Sequence, residues 1–154
     1  MTPEMFLIHP ASPAEFKEAI QVRIHVFVKI QKIPLNEENN EDDKDALHMV
    51  VVDALQNKVV GTLRVMHLGS TARISRVAIL PEYHGRGLGK KLLESTEKYI
   101  AGCARFSQCV ETILGSLFDK CRFYERCGYV AKGDVTIEHG CPLIWMNKAI
   151  KHAL

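Results

Sequence analysis

The sequence lacks the features that mark several classes of protein. Its 154 residues carry 20 Lys and Arg against 18 Asp and Glu, so the formal net charge of +2 is far from the basic excess of a general nucleic-acid binder. No apolar run reaches the length of a membrane span, and the opening stretch MTPEMFLIHP lacks the basic-then-apolar order of a signal peptide. We therefore expect a cytoplasmic protein with neither nucleic acid nor a membrane as its partner.

Metal-binding motifs are also missing. Neither CxxC nor HExxH occurs, so no metal is expected. The five cysteines are odd in number and lie in the C-terminal third, at Cys103, Cys109, Cys121, Cys127 and Cys141. Without an export signal, this pattern favours reduced thiols over a disulfide framework.

The hydrophobic content of 47% is enough for one domain with a real core. Apolar residues recur at helical spacing after "SPAEF", where Ser12 is the predicted N-cap and Glu15 closes a capping box, and this helix should run to about residue 30. The acidic segment 34–45 is predicted to be a loop. "LHMVVVDAL" and "KVVGTLRVMHL" are predicted to form an antiparallel hairpin around Gln56 and Asn57.

The remaining segments complete an α/β pattern. "ARISRVAIL" and "CVETILG" are predicted strands, the amphipathic segment that follows the glycines and the segment from Ser116 are predicted helices, and two strands are expected around His139-Gly140. The order β-α-loop-β-β-β-α-β-α-β-β predicts one mixed α/β domain over residues 1–154.

Three glycines, Gly85, Gly87 and Gly89, stand directly in front of a predicted amphipathic helix. The spacing fits neither a Walker A loop, in which a Gly would replace His84, nor the G-x-G-x-x-G fingerprint of dinucleotide-binding proteins. A flexible turn before a helix N-terminus still favours a phosphate group, because unpaired backbone N–H groups and the helix dipole converge there. The alternative is a tight turn between strand and helix that binds no ligand.

The stretch "RVAILPEYHGRGLGKKLL" resembles the acyl-CoA loop of the GNAT superfamily of N-acetyltransferases, whose pattern is Gln/Arg-x-x-Gly-x-Gly/Ala. His84 departs from the pattern by replacing Gln or Arg. The resemblance implies a GNAT fold, with a mixed sheet of about seven strands flanked by about four helices, and acetyl-CoA as co-substrate. It also implies that backbone amides hold the CoA pyrophosphate at His84, Gly85, Arg86, Gly87, Leu88 and Gly89. The pantetheine arm would pair with Val77, Ala78 and Ile79.

"FYERCGY" resembles the F-Y-x-x-x-G-F/Y signature of the same superfamily. In relatives the tyrosine that matches Tyr124 is a general acid for the departing thiolate; the alternative is that Tyr124 only packs against the core. The attacking amine must also lose a proton, for which Glu111 is the predicted base, with Asp43 and His48 as further candidates.

The N-terminal half resembles a compact branch of GNAT enzymes with V-R-x-x-V-F-V-x-E-Q-x-x-P, in which Ile30 replaces the Glu. Members include amino-sugar-phosphate acetyltransferases, so glucosamine 6-phosphate is the leading acceptor. The predicted substrate residues are Arg23, Arg73 and Arg76 for the phosphate, and Glu38 and Asp43 for hydroxyls or the ammonium. A polyamine or a protein lysine held by the acidic segment, and a non-catalytic acyl-CoA-binding domain, are alternatives. The resemblance also implies a homodimer.

Overall fold

The fold is an α/β sandwich built on one eight-stranded sheet. A computed structural model describes residues 5–32, 41–138 and 141–152. The strands are β1 (Phe6–Pro10), β2 (Leu47–Asp53), β3 (Lys58–Leu68), β4 (Thr71–Ile79), β5 (Glu111–Leu117), β6 (Val130–Ala131), β7 (Thr136–Glu138) and β8 (Cys141–Ala149). Their order in the sheet is β1-β2-β3-β4-β5-β8-β6, and β7 also pairs with β8. The predicted mixed sheet of about seven strands is confirmed.

Three α-helices flank the sheet within the described ranges: α1 (Pro13–Arg23), α2 (Leu88–Gly102) and α3 (Cys121–Arg126). The predicted capping box is present, because Glu15 N donates to Ser12 Oγ at 3.2 Å and Ser12 N donates to Glu15 Oε1 at 2.9 Å. Beyond α1 the chain continues as a π-helix, Ile24–Ile30, so the helical segment ends where the sequence predicted. Of the predicted acidic loop, only Glu41–Asp45 is described, as a 3-10 turn, and residues 34–40 lie outside the described ranges.

Apolar side chains bury both faces of the sheet. One face packs against α2, and the buried residues there include Leu63, Val65 and Ile74 from the sheet and Leu88, Leu92, Leu93 and Ile100 from the helix. On the other face, α1 covers the N-terminal strands through Ala19, Val22, Val50, Val52 and Val59. Each large side chain buried in this way contributes about 1.5–3 kcal/mol of transfer free energy.

The hairpin predicted around Gln56 and Asn57 is confirmed. Strands β2 and β3 pair antiparallel, and Asp53 Oδ1 accepts hydrogen bonds from the backbone amides of Leu55 and Gln56. Asn57 adopts φ 52°, a left-handed conformation that asparagine tolerates better than most residues.

The C-terminal region differs from the prediction. The two strands expected around His139-Gly140 are present as β7 and β8, and an additional short strand, β6, also pairs with β8. The predicted helix from Ser116 is also shorter, because β5 extends to Leu117 and a 3-10 turn, Phe118–Lys120, precedes α3. The predicted strand and the predicted helix meet at Ser116 and Leu117. Pairing of these two residues with β8 makes them part of β5.

Candidate active site

Strands β4 and β5 separate part-way along the sheet. They pair in parallel only from Thr71 to Ile74 and from Glu111 to Leu114. Beyond this point β4 continues to Ile79 beside β3, and β5 continues to Leu117 beside β8. We call the resulting gap the splay. In the described part of the chain no strand pairs with the side of β4 that faces the splay, and Val77, Ala78 and Ile79 lie on this stretch.

A β-bulge lies at the same place. The register between β3 and β4 shifts by one residue between Thr62 and Arg64, and Arg76 adopts φ 55°. A left-handed residue that is not glycine stores strain, and such residues cluster at functional sites. The bulge leaves one residue of β4 outside the regular ladder beside the splay.

The glycine loop connects this strand to α2. Gly85 has φ 78°, and Gly87, the N-cap of α2, has φ 73° and ψ 14°. No described side chain caps the helix, so the first-turn amides keep their hydrogen-bonding capacity. Gly89 meets a different requirement, because a Cβ there would lie 3.1 Å from Phe123 Cζ. Two of the three glycines thus permit the turn, and the third permits α3 to pack.

Side chains brace the loop from behind. Tyr83 is buried and donates to Asp53 Oδ2 at 2.7 Å, and this hydrogen bond lowers the pKa of Asp53 and raises that of Tyr83. The Arg86 guanidinium stacks on the Tyr83 ring at 4.8 Å. His84 Nε2 lies 2.8 Å from the Ile79 carbonyl oxygen and donates to it in the tautomer protonated at that nitrogen. The His84 ring therefore folds back onto β4.

Tyr124 lies on α3, and its neighbour Phe123 packs on Gly89 in the first turn of α2. The Tyr124 ring is partly buried between Phe123 and Tyr129, with ring centroids at 5.1 and 6.2 Å. Burial raises the pKa of Tyr124 to about 12, so its hydroxyl is protonated at neutral pH. Within the described ranges this hydroxyl makes no hydrogen bond, which leaves it able to donate to a ligand.

Arg23 and Asp43 meet each other in the structure. Arg23 Nη1 and Nη2 donate to the two Asp43 oxygens at 3.0 and 3.3 Å, and Arg64 Nη1 donates to Oδ1 at 3.1 Å. Burial of Asp43 acts to raise its pKa, but its bonds to the two arginines outweigh burial and lower it. His48, whose pKa burial lowers, has Nε2 3.0 Å from the Asp43 carbonyl oxygen. Sequence reasoning did not select Arg64, whose link to Asp43 spans 21 residues.

Arg73 lies on the last paired stretch of β4, where its guanidinium stacks on the Trp145 ring at 4.7 Å. Gly115, which pairs with Trp145, leaves room for the ring, since an added Cβ would lie 3.5 Å from it. The strand register that sets Trp145 opposite Gly115 is not visible in the sequence, so this contact was not predicted. The predicted contact Glu38 lies outside the described residues.

Glu111 is not brought to Tyr124. Its neighbour Thr112 points to the face of the sheet that holds Tyr129, because Thr112 Oγ1 lies 3.2 Å from the Tyr129 hydroxyl oxygen. Successive side chains of a strand point to opposite faces, so Glu111 points away from that face. It also opens β5, about 13 Å before Gly115 at the usual rise per residue. Its carboxylate accepts a hydrogen bond from Asn147 Nδ2 at 2.8 Å. The predicted base is therefore distant from the splay.

Two further properties concern the described ranges only. No helix there is both long and apolar enough to cross a membrane. No group of three or more His, Cys, Asp or Glu in those ranges is arranged to hold a metal ion.

Comparison with known proteins defines the family. The sequence profile "Acetyltransferase (GNAT) domain" matches residues 44–131. A Bacillus subtilis protein provisionally named an acetyltransferase is 30% identical over 148 residues, which cover 93% of this chain and 95% of that protein. The chain belongs to the GNAT acetyltransferase family, and the prediction of an acyl-CoA-dependent N-acetyltransferase is confirmed.

Solved structures share the fold. A provisionally named N-acetyltransferase from Lactobacillus plantarum is 26% identical with a TM-score of 0.83, covering 97% of this chain and 100% of that one. An aminoglycoside 6'-N-acetyltransferase complexed with coenzyme A is 17% identical with a TM-score of 0.72, covering 96% and 99%. At this identity the second likeness shows the fold alone.

Proposed function

We propose that the protein transfers an acetyl group from acetyl-CoA directly to a primary amine at the splay. The packing of Phe123 on Gly89 carries the proposal, because it sets α3, which bears Tyr124, against the first turn of α2, and the open edge of β4 lies just before that turn in the chain. The first-turn amides of α2 attract the pyrophosphate, and the edge of β4 pairs with the amide groups of the pantetheine arm. The bulge at Arg76 exposes backbone polar groups of β4, where an amide can donate to the developing oxyanion.

Tyr124 serves the departing sulfur in this mechanism. Amine attack forms a tetrahedral intermediate, which expels the thiolate of CoA, a group with a pKa of about 8.5 by analogy with a free thiol. The pKa of Tyr124 is about 12 in the free enzyme, so full proton transfer to the thiolate is uphill. The hydroxyl therefore acts mainly by donating a hydrogen bond to the sulfur as negative charge develops there.

The leading acceptor is glucosamine 6-phosphate. Arg73 supports it, because a guanidinium stacked on Trp145 near the splay suits the forked recognition of a phosphate. Arg76 directly follows Ser75, the last β4 residue that pairs with β3 before the bulge, and it is the second candidate for the phosphate. Arg23 and Asp43 bond to each other, so in this proposal they form the wall beside the acceptor, while Glu38 keeps its predicted contact to hydroxyls.

Acceptor identity is tested with a panel. CoA release from acetyl-CoA is measured with glucosamine 6-phosphate, glucosamine, spermidine, a lysine peptide and an aminoglycoside. Fastest reaction with glucosamine 6-phosphate supports the proposal, and equal rates with glucosamine remove the phosphate from recognition. Preference for spermidine or the lysine peptide transfers the acceptor role to the acidic segment. Calorimetric binding of CoA with no release for any amine identifies a non-catalytic acyl-CoA-binding domain.

Replacing Arg73 by Ala tests the phosphate contact. Loss of a charge-assisted hydrogen bond worth about 1.5–3 kcal/mol should raise the KM for glucosamine 6-phosphate roughly ten- to a hundredfold. Glucosamine is the matched control, because its KM should be nearly unaffected. An equal increase in KM for both amines would show that Arg73 supports the site without contacting the phosphate.

The proposal also includes the oligomeric state of the protein and the compartment in which it acts. We expect a homodimer, and light scattering coupled to size-exclusion chromatography measures it directly. We place the enzyme in the cytoplasm, and the free thiols at Cys103, Cys109, Cys121 and Cys127 fit a reducing compartment.

A further inference from the structure

The helix that carries Tyr124 is too short to hold its own position. α3 has six residues, well below the roughly 12–15 that an isolated helix needs even for marginal stability. The placement of Tyr124 therefore depends on what fixes the two ends of α3. Near its N-terminal end, Phe123 packs on Gly89.

Lys148 of β8 fixes the C-terminal end. Its ammonium Nζ donates to the carbonyl oxygen of Cys127, the C-cap of α3, at 2.8 Å. The last carbonyls of a helix lack intrahelical donors, and a cation there also interacts favourably with the helix dipole. The same Nζ donates to Glu97 Oε1 on α2 at 2.7 Å, in a partly buried ion pair. One side chain thus ties α3 to both α2 and β8.

Gly128 permits this contact for two separate reasons. Its φ of 96° lies in the region that favours glycine. A Cβ at this position would also lie 3.1 Å from Lys148 Cε and 3.2 Å from Nζ. The next residue, Tyr129, donates its backbone N–H to the carbonyl oxygen of Tyr124 at 3.0 Å. The turn that Lys148 braces is therefore bonded directly to Tyr124.

Glu97 extends the brace to the rest of the sheet. Its Oε2 accepts the hydroxyl of Tyr129 at 2.9 Å, and Tyr129 in turn accepts from Thr112 Oγ1 on β5 at 3.2 Å. Tyr129 is 2% exposed, so this network is anchored in the core. Fully satisfied polar networks of this kind rigidify the elements that they join.

We propose that Lys148 is a positioning residue for the reaction: it holds the C-terminal end of α3 against Glu97 so that the Tyr124 hydroxyl meets the thioester sulfur. The inference rests on the proposed role of Tyr124. It assigns no contact between Lys148 and either substrate.

A double-mutant cycle tests the inference. Lys148→Met keeps the aliphatic stem and removes the ammonium, and the exposed Lys98→Met on α2 is the matched control. The rate constant for acetyl transfer is measured in single turnover with the fastest amine of the panel, in the parent enzyme and in Tyr124→Phe. Lys148→Met should slow transfer about tenfold in the parent, within the range of couplings between linked residues, and should change it less than about twofold in Tyr124→Phe. CoA affinity should stay within about twofold.

The outcomes separate the two hypotheses. If Tyr124→Phe itself leaves transfer unchanged, the proposed role of Tyr124 fails and the positioning role fails with it. If Tyr124→Phe slows transfer but Lys148→Met has no effect, or has the same effect in both backgrounds, only the positioning role is overturned.

Amide hydrogen exchange gives a readout that needs no acceptor. Exchange at residues 121–129 should rise in Lys148→Met and stay unchanged in Lys98→Met, and an unchanged pattern in both would overturn the inference. Should Lys148→Met fail to fold, Glu97→Gln replaces it, because the amide oxygen still accepts from Lys148 but without a full charge. Glu97→Gln must then slow acetyl transfer in the parent enzyme and have little effect on it in Tyr124→Phe for the inference to stand.

Discussion

At the scale of single residues, neighbouring glycines serve different ends. Gly87 supplies a left-handed N-cap with open space around its Cα, whereas Gly89 has ordinary helical geometry and leaves room for Phe123. The glycine pattern alone does not distinguish the role of Gly87 from that of Gly89. The two roles predict different consequences when each glycine is replaced.

Replacing Gly87 by Val should abolish CoA binding in a folded protein, because a side chain would project into the place proposed for the pyrophosphate at the first-turn amides. Backbone strain costs roughly 1–2 kcal/mol in addition. Gly69→Val is the matched control, since Gly69 also has positive φ, 61°, and open space around it. Calorimetry measures affinity and urea unfolding measures stability. Equal CoA affinity in the two variants would show that the loop does not bind the pyrophosphate.

Replacing Tyr124 by Phe should lower the single-turnover rate constant about a hundredfold, since the sulfur in the proposed mechanism loses its hydrogen-bond donor. CoA affinity should change little, and the exposed Tyr99→Phe on α2 controls for loss of a phenol. An unchanged chemical step would remove Tyr124 from the mechanism.

The pH dependence follows from the raised pKa of Tyr124. The phenol is the donating form below a pKa of about 12 and is lost as the pH rises through that value. Ionisation of Tyr124 should therefore not lower the rate constant between pH 6 and 10. Any decline seen in the parent enzyme over this range should also be seen in Tyr124→Phe. Such a decline near pH 8 would mean that the phenol ionises far below the expected value.

At the scale of secondary-structure elements, one buried carboxylate joins three segments. Asp43 in the 3-10 turn bonds Arg23 at the end of α1 and Arg64 on β3, and both arginines are buried, at 1% and 5% exposure. Buried cations need nearby negative charge, and Asp43 supplies it to both arginines. The cluster therefore holds the 3-10 turn Glu41–Asp45 against α1 and the sheet.

Asp43→Asn should lower the free energy of unfolding by about 3–5 kcal/mol at pH 7, because it removes the charge of a carboxylate to which both buried arginines donate. The pKa of Asp43 is lowered in the folded protein, so its stabilisation is present above the ordinary value of 3.8 and is lost as the pH falls through the lowered one. The difference from the parent protein should therefore shrink in acid. Urea unfolding at pH 7 and pH 3 measures it, with the exposed Asp119→Asn as control. A difference that stays constant in acid would contradict the assignment to the charge of Asp43.

At the scale of the whole molecule, the proposed CoA site lies at the splay, between the two halves of the sheet. Ligand binding there should stabilise the folded state as a unit. Acetyl-CoA at 100 times its dissociation constant adds about 2.7 kcal/mol, which corresponds to a rise in Tm of roughly 5–10 °C for a chain of this size. Thermal unfolding with and without acetyl-CoA measures the shift, and Gly87→Val should show none. An equal shift in that variant would place the CoA site elsewhere.

Local physical chemistry made much of the molecule predictable from the sequence. The capping box at Ser12, the hairpin at Asn57 and the glycine loop depend on residues within a few positions of each other, where steric limits and hydrogen-bonding capacity leave few conformations. The same holds for the strand and helix periods that predicted a mixed sheet. The motif containing Tyr124 identified the family, which the comparisons confirmed.

Only the tertiary structure decided which distant residues meet. The bonds of Asp43 to Arg23 and Arg64 span 20 and 21 residues, and Lys148 reaches Glu97 across 51. Such contacts depend on strand register and on the face to which each side chain points, and a shift of one residue reverses that face. This is why Glu111, a reasonable base in the sequence, points away from Tyr124, and why Arg23 and Asp43, both expected to contact the acceptor, bind each other.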